Sequence, residues 1–212
     1  MHMAVFGGTF DPPHNGHLAL SLYARELLQI DRIFISVSNN PLKHNRRAAD
    51  VHRKRMAELL SAEINRTGLC SQVSGWELEK QQESYTVDLL NYVHQLYPHD
   101  NLTLLVGEDS FREFPLWKDY EKLFSLCDIV VFRRAETGIH LLPPDALQRK
   151  ESIATIDFTY GVSSTEIREL VATGQTISRL VPSSVHRYII EHALYLQPSL
   201  STSTQEPRHR ES

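Results

Sequence analysis

Two histidines three residues apart, His14 and His17, end a stretch with few ordinary side chains: FGGTFDPPHNGH, residues 6–17. The preceding apolar run Met3–Phe6 reads as a strand stopped by Gly7-Gly8, where the backbone can turn tightly and approach a ligand. Pro12-Pro13 fixes φ at two positions and stiffens the approach to a helix opening near Asn15. At this spacing both imidazoles share a face of the first helical turn, where free N–H groups and the helix dipole attract anions. Two histidines without a third ligand make a poor zinc site but good donors to a phosphate. Neither GxxxxGK followed by Ser or Thr nor GxGxxG is present, which excludes the P-loop and the standard dinucleotide fingerprint. A plain strand-to-helix connection would use the same glycines and prolines. The paired histidines favour phosphate.

A second anion site follows the same logic. In SSTEIR, Ser163 and Glu166 have capping-box spacing, and Ser163, Ser164 and Thr165 open a helix with hydroxyls and unpaired N–H groups. Arg168 lies on the same first turns. Capping and anion binding use one helix end and do not compete. Asp109, in GED after an apolar strand, can accept from ribose hydroxyls or cap the next helix.

These residues need a frame that brings them together. Apolar or β-branched runs predict strands at Met3–Phe6, Arg32–Ser38, Ser71–Glu79, Asn101–Gly107, Asp128–Arg134 and Ser152–Ile156. Helical spacing predicts helices from Asn15 to about Gln29, over Val51–Ile64 and Ser84–Tyr97, and in a region ending near Leu126. Two more follow, from Ser163 to the stop at Gly174 and over Ser184–Leu194. Residues 135–150 read as loop. Alternating strands and helices imply an α/β fold, a doubly wound parallel sheet with a small C-terminal helical part over about 163–196. Residues 1–196 are expected to form one domain, and the polar segment 197–212 a disordered tail. Ligands bind beyond the carboxyl ends of such strands, so Gly7–His17, Asn39–His44, Gly107–Trp117 and Val162–Arg168 are expected on one rim.

Composition narrows the function. A net charge of -4 over 212 residues argues against a general nucleic-acid binder. Cys70 and Cys127 lie far apart with no ligand spacing, which points to a reducing cytoplasm and no structural zinc. No run approaches the length of a membrane span, and no signal-peptide pattern opens the chain.

The motif GGTFDPPHNGH resembles that of the HxGH nucleotidyltransferases and, more narrowly, of the bacterial nicotinate-nucleotide adenylyltransferases. ESYTVDLL, VGEDSFREFPLWKDYEKLF, DIVVFRR, VSSTEIR and VHRYIIEHALY follow in that family's order, so the resemblance covers most of residues 3–196. It implies a Rossmann-like nucleotidyltransferase fold and transfer of AMP from ATP to nicotinate mononucleotide, giving deamido-NAD and pyrophosphate. Mg²⁺ would accompany the ATP.

The resemblance also implies roles. Gly7, Gly8, Thr9, Phe10, His14, His17, Asp109, Ser163, Ser164, Thr165 and Arg168 would bind ATP, with His14, His17, Lys43 and Arg168 catalytic. Asn39, Lys43, Tyr85, Thr86, Asp109 and Trp117 would bind the acceptor, Trp117 by stacking on the pyridine ring. Here the loop reads SNNPLKH where many members carry a Pro-Pro-His-Lys-like loop, so the basic role falls to Lys43 or His44. Arg53 matches a family arginine that can support this loop. Lys118 stands where an aromatic residue is common.

Two alternatives stay open at this point, another acceptor (nicotinamide mononucleotide or phosphopantetheine) and a non-catalytic nucleotide-binding protein. Nucleic-acid binding ranks third for want of a basic stripe, and a homo-oligomeric state stays open.

Overall fold

A computed structural model describes residues 1–42, 46–68, 70–80, 82–133 and 153–196. Strands β1 (His2–Gly8), β2 (Arg32–Val37), β3 (Ser71–Ser74), β4 (Asn101–Gly107), β5 (Asp128–Arg133) and β6 (Ile153–Asp157) form one sheet in the order β3-β2-β1-β4-β5-β6. Every neighbouring pair is parallel. Helices α1 (Asn15–Leu28), α2 (Asp50–Ile64), α3 (Trp76–Glu79), α4 (Thr86–Leu96), α5 (Glu108–Phe111), α6 (Tyr120–Leu126), α7 (Ser164–Ala172) and α8 (Ser183–Glu191) accompany the strands, with 3₁₀ turns at Asn65–Thr67 and Phe114–Leu116. The expected doubly wound α/β fold is present.

Strand alternation divides the core. Met3 and Val5 of β1, with Leu102, Leu104 and Val106 of β4, pack on the α4 side of the sheet. Ala4 and Phe6, with Ile33, Ile35 and Leu105, pack on the α1 and α2 side. Both faces are covered, which is why β4 reads as a continuous apolar run rather than an alternating one. A third cluster joins Met56 of α2 to Val162, Ile167, Val171, Val185 and Ile189, seating α7 and α8 on the main body.

The predicted strand Ser71–Glu79 is corrected by the structure. β3 stops at Ser74, whose hydroxyl accepts from Trp76 N (3.2 Å), and the carbonyl of Gly75 takes the N–H groups of Leu78 and Glu79. This local side-chain bond favours a helical turn over continued pairing. The helical region before Leu126 divides into α5, a 3₁₀ turn at Phe114–Leu116 holding Pro115, and α6. Gly174 takes φ 72° at the end of α7, the left-handed stop its position predicts. Among the described residues no helix is long and apolar enough to cross a membrane.

The feature that positions the site is where β1 and β4 part. They pair as far as Phe6 with Leu105, whereas Gly7 and Gly8 continue against Ser36 and Val37 of β2. The connections from β1 and β4 lead to opposite faces, so a crevice opens at this switch point.

Candidate active site

A cavity of about 350 Å³ fills that crevice. Gly7, Gly8, Thr9, His14 and His17 line it from the first loop, with Asp109 and Trp117 after β4, Thr86 at the start of α4, and Ser163 and Ser164 at the start of α7. From the second loop Ser38 and Asn40 reach it. Segments predicted for one rim therefore meet there. Lys43 and His44 lie outside the described residues, as does 135–150.

Three helices direct their N-termini at the cavity: α1 through His14 and Gly16, α4 through Thr86, and α7 through Ser163 and Ser164. Each end carries the positive pole of the helix dipole, although at α1 the Asn15 N–H is already donated to the carbonyl of Leu180 (2.9 Å). Tyr85 gives α4 no side-chain cap, whereas at α1 His14 and His17 form a reciprocal capping box. At α7 the Ser163 hydroxyl accepts from Glu166 N (3.2 Å), the expected cap.

The two histidines pack with ring centroids 3.8 Å apart. His14 N donates to Nδ1 of His17 (3.2 Å), so that nitrogen carries a lone pair and the proton of the neutral ring sits on Nε2. Burial, and then the adjacent His14 ring, hold the His17 pKa well below the usual histidine value. His17 is a neutral N–H donor backed by the rings of Phe6 and Phe10 at 5.9 and 5.3 Å.

Gly16 makes this packing sterically feasible. A Cβ there would fall 2.9 Å from two atoms of the His14 ring. Gly7 and Gly107 differ from it: a Cβ at either meets nothing within 4 Å, and both line the cavity. Their missing side chains leave space for a ligand against the backbone.

Other predicted residues, Trp117 apart, stand behind the wall. Phe10 is buried at φ 47°, edge-on to Phe6. Asn39 is spent on cross-links: its Oδ1 accepts from Arg46 Nη1 (2.6 Å) and its Nδ2 donates to the carbonyl of Gln82 (3.0 Å). Tyr85 donates its hydroxyl to Glu83 (2.8 Å) and lies under Lys118 Nζ, 4.6 Å from the ring centre. Arg168 spans Thr165 Oγ1 (3.1 Å) and the carbonyl of Asp11 (2.8 Å). Trp117 is half-buried, its ring 5.2 Å from Phe114 and one side on the cavity.

A family model described as cytidylyltransferase-like matches residues 5–170. A curated relative from Pelodictyon phaeoclathratiforme, named "Probable nicotinate-nucleotide adenylyltransferase", is 59% identical over 214 residues and covers 100% of each chain. The chain belongs to the nicotinate-nucleotide adenylyltransferase family. A Chlorobium phaeobacteroides relative of the same name is 52% identical, covering 92% of this chain and 99% of its own. The fold is also that of the Plasmodium falciparum nicotinic acid mononucleotide adenylyltransferase complexed with NaAD. That structure has a TM-score of 0.72 at 19% identity and covers 92% of this chain and 97% of its own.

Several residues that shape this adenylyltransferase site went unassigned from sequence. Glu77 lines the cavity at 4% exposure, accepting from Ser36 Oγ (2.6 Å) and Asn39 N (3.2 Å); burial raises its pKa. Phe158 and Tyr160 add a stacked aromatic pair to the lining. Arg53, fully buried, donates from Nη1 to the carbonyls of Thr9 (3.0 Å) and Ser38 (2.9 Å), so this arginine supports the loops. For Arg53 the resemblance had already implied this supporting role; Glu77, Phe158 and Tyr160 carried no such signal.

Proposed function

We propose that the cavity transfers AMP from ATP to nicotinate mononucleotide. The observation that carries this reading is that His14 and His17, at one helix N-terminus, face the same space as Thr86 and Trp117. One cavity thus offers phosphate donors and a flat stacking surface. In the reaction an oxygen of the mononucleotide phosphate attacks the α-phosphorus of ATP in line. The new O–P bond forms as the bond to the β-phosphate oxygen breaks, and pyrophosphate leaves with the electron pair. The attacking phosphate is already ionised near neutral pH, so no general base is needed, and catalysis rests on positioning and charge stabilisation.

In this assignment His14 and His17 donate to phosphate oxygens, and the contact strengthens as charge builds. Ser163, Ser164, Thr165 and Arg168 hold the ATP phosphates, Lys43 adds a cation, and Gly7 to Phe10 form the wall against the nucleotide. Asp109 accepts from ribose hydroxyls. Trp117 stacks on the pyridine ring, and the N–H groups at Tyr85–Thr86 receive its carboxylate, with Asn39 holding that loop in place. A carboxamide would direct N–H₂ at donors, which favours the acid.

A nucleotidyltransferase that uses ATP generally works with a divalent cation. Among the described residues no three His, Cys, Asp or Glu side chains cluster to hold a metal. Mg²⁺ would be carried on the triphosphate, where waters and phosphate oxygens fill most of its coordination. The ion supplies neutralisation of phosphate charge.

The test is pyrophosphate release from ATP and Mg²⁺ with nicotinate and nicotinamide mononucleotides side by side. Strong preference for the acid is expected. Equal use of both retires the carboxylate pocket at Tyr85–Thr86, and release with neither retires the reading.

A further inference from the structure

Asp11, in the loop between β1 and α1, is 1% exposed and does not line the cavity. Its carboxylate is turned away from the site and takes three donors. Oδ2 accepts from Arg47 N (2.6 Å), and Oδ1 accepts from Ala48 N (3.1 Å) and from the hydroxyl of Tyr195 (2.7 Å). The backbone carbonyl of the same residue accepts from Arg168 Nη1 (2.8 Å), and the next carbonyl, Pro12, accepts from Ser164 Oγ (2.9 Å). One buried residue thus joins the loop before α2, the start of α7 and a segment beyond α8.

Tyr195 is the most distant of these partners, 184 residues along the chain from Asp11. It packs against the cluster formed by α2, α7 and α8. Ala193 and Tyr195 both adopt left-handed backbone, φ 48° and 64°, which side-chain-bearing residues take only when the surroundings require it. Burial, and then the Asp11 carboxylate, push the phenol pKa upward, so the hydroxyl stays protonated and donates. Arg53 and Arg168 are the charged groups that face the pair from α2 and α7. Only the rigid Pro12-Pro13 pair separates Asp11 from His14. A displacement of Asp11 is therefore passed to the imidazole donors.

We propose that Tyr195 is a positioning residue of the adenylyl-transfer site, holding the Asp11 carboxylate so that the Phe10–His14 loop and residues 46–48 keep their places. The proposal rests on the adenylyltransferase reading for its catalytic consequence. Its structural part stands apart from that reading.

The experiment is Tyr195→Phe in the full chain, which keeps the ring and removes the hydroxyl. Two readouts are taken, amide hydrogen exchange at Arg47 and Ala48 without substrate, and kcat and KM for pyrophosphate release. Exchange at both amides is expected to accelerate by about tenfold, the factor that loss of one hydrogen bond to a charged group carries. kcat is expected to fall by about as much while KM for either substrate changes less than about twofold. In Asp11→Asn the hydroxyl's charged partner is gone, so adding Tyr195→Phe should produce little further loss. Unchanged exchange at Arg47 and Ala48, or losses in the two variants that simply multiply, overturns the proposal. If wild-type protein releases no pyrophosphate with either mononucleotide, the function reading fails while the exchange result still decides whether Tyr195 holds Asp11.

Discussion

The backbone N–H of His14 donates to Nδ1 of His17 at 3.2 Å, and this bond fixes which nitrogen of His17 keeps the proton. The ring lines the cavity and keeps Nε2–H as its donor without having to be charged. His17→Ala should lower kcat about 10²- to 10³-fold, the usual loss when one preorganised donor to developing charge is removed. ATP affinity should fall only a few-fold, because the contact strengthens in the transition state. Steady-state kinetics with a direct ATP-binding titration separate the two. Unchanged turnover would remove His17 from the chemistry.

The same histidine makes a pH prediction. Its folded-state pKa lies below the unfolded value, so the unfolded chain binds the extra proton first as pH drops. The stabilisation is fully present above about pH 6.5 and is lost below it, at a slope of no more than about 1.4 kcal/mol per pH unit for one proton. Thermal melting of wild type and His17→Asn between about pH 7.5 and about pH 5.5, one unit either side of the ordinary histidine pKa, checks this. The wild type should lose more stability on the acid side than the variant. Parallel curves would mean that His17 is not held neutral.

Trp117 has one flank on Phe114 and the other on the cavity. Trp117→Ala should raise KM for nicotinate mononucleotide by roughly tenfold or more, in line with the usual worth of stacking a heterocycle on an aromatic side chain. ATP binding should be nearly intact. A collapse of the fold without selective loss of the acceptor would show that the Phe114 contact is the residue's whole purpose.

Gly107 and Gly16 should respond to alanine in opposite ways. At Gly107 the methyl enters open cavity and the backbone is ordinary, φ -75°. Thermal stability should hold or rise by about 0.4–1 kcal/mol while ligand affinity drops. At Gly16 the methyl would press on the His14 ring, so kcat should fall with ligand affinity largely kept. Calorimetric melting and binding on the two variants read this out, and equal affinity losses would contradict it.

The parallel sheet was legible because burial on both faces writes itself as apolar runs, most clearly in Asn101–Gly107. The α7 helix was legible from Ser163 and Gly174, residue types chosen for its two ends. Its anchoring was not: Ser164 and Arg168 also hold carbonyls of Pro12 and Asp11, and nothing local announces a bond made over 150 positions. Glu77 and Asp11 escaped for a related reason, since acidic residues in a polar stretch read as surface until their donors are seen. Ser71–Glu79 misled because its alternation is shared by a strand and by a strand that ends in a helical turn.

The convergence of three helix N-termini gives the protein a selectivity that its overall charge would not suggest. The chain's net charge of -4 gives no general attraction for polyanions. The attraction for phosphate is carried by backbone dipoles recessed in a crevice, and their reach fades within a turn of each helix. Only an anion small enough to enter meets it. Phosphate selection by recessed dipoles of this kind depends on the size of the anion as well as on its charge.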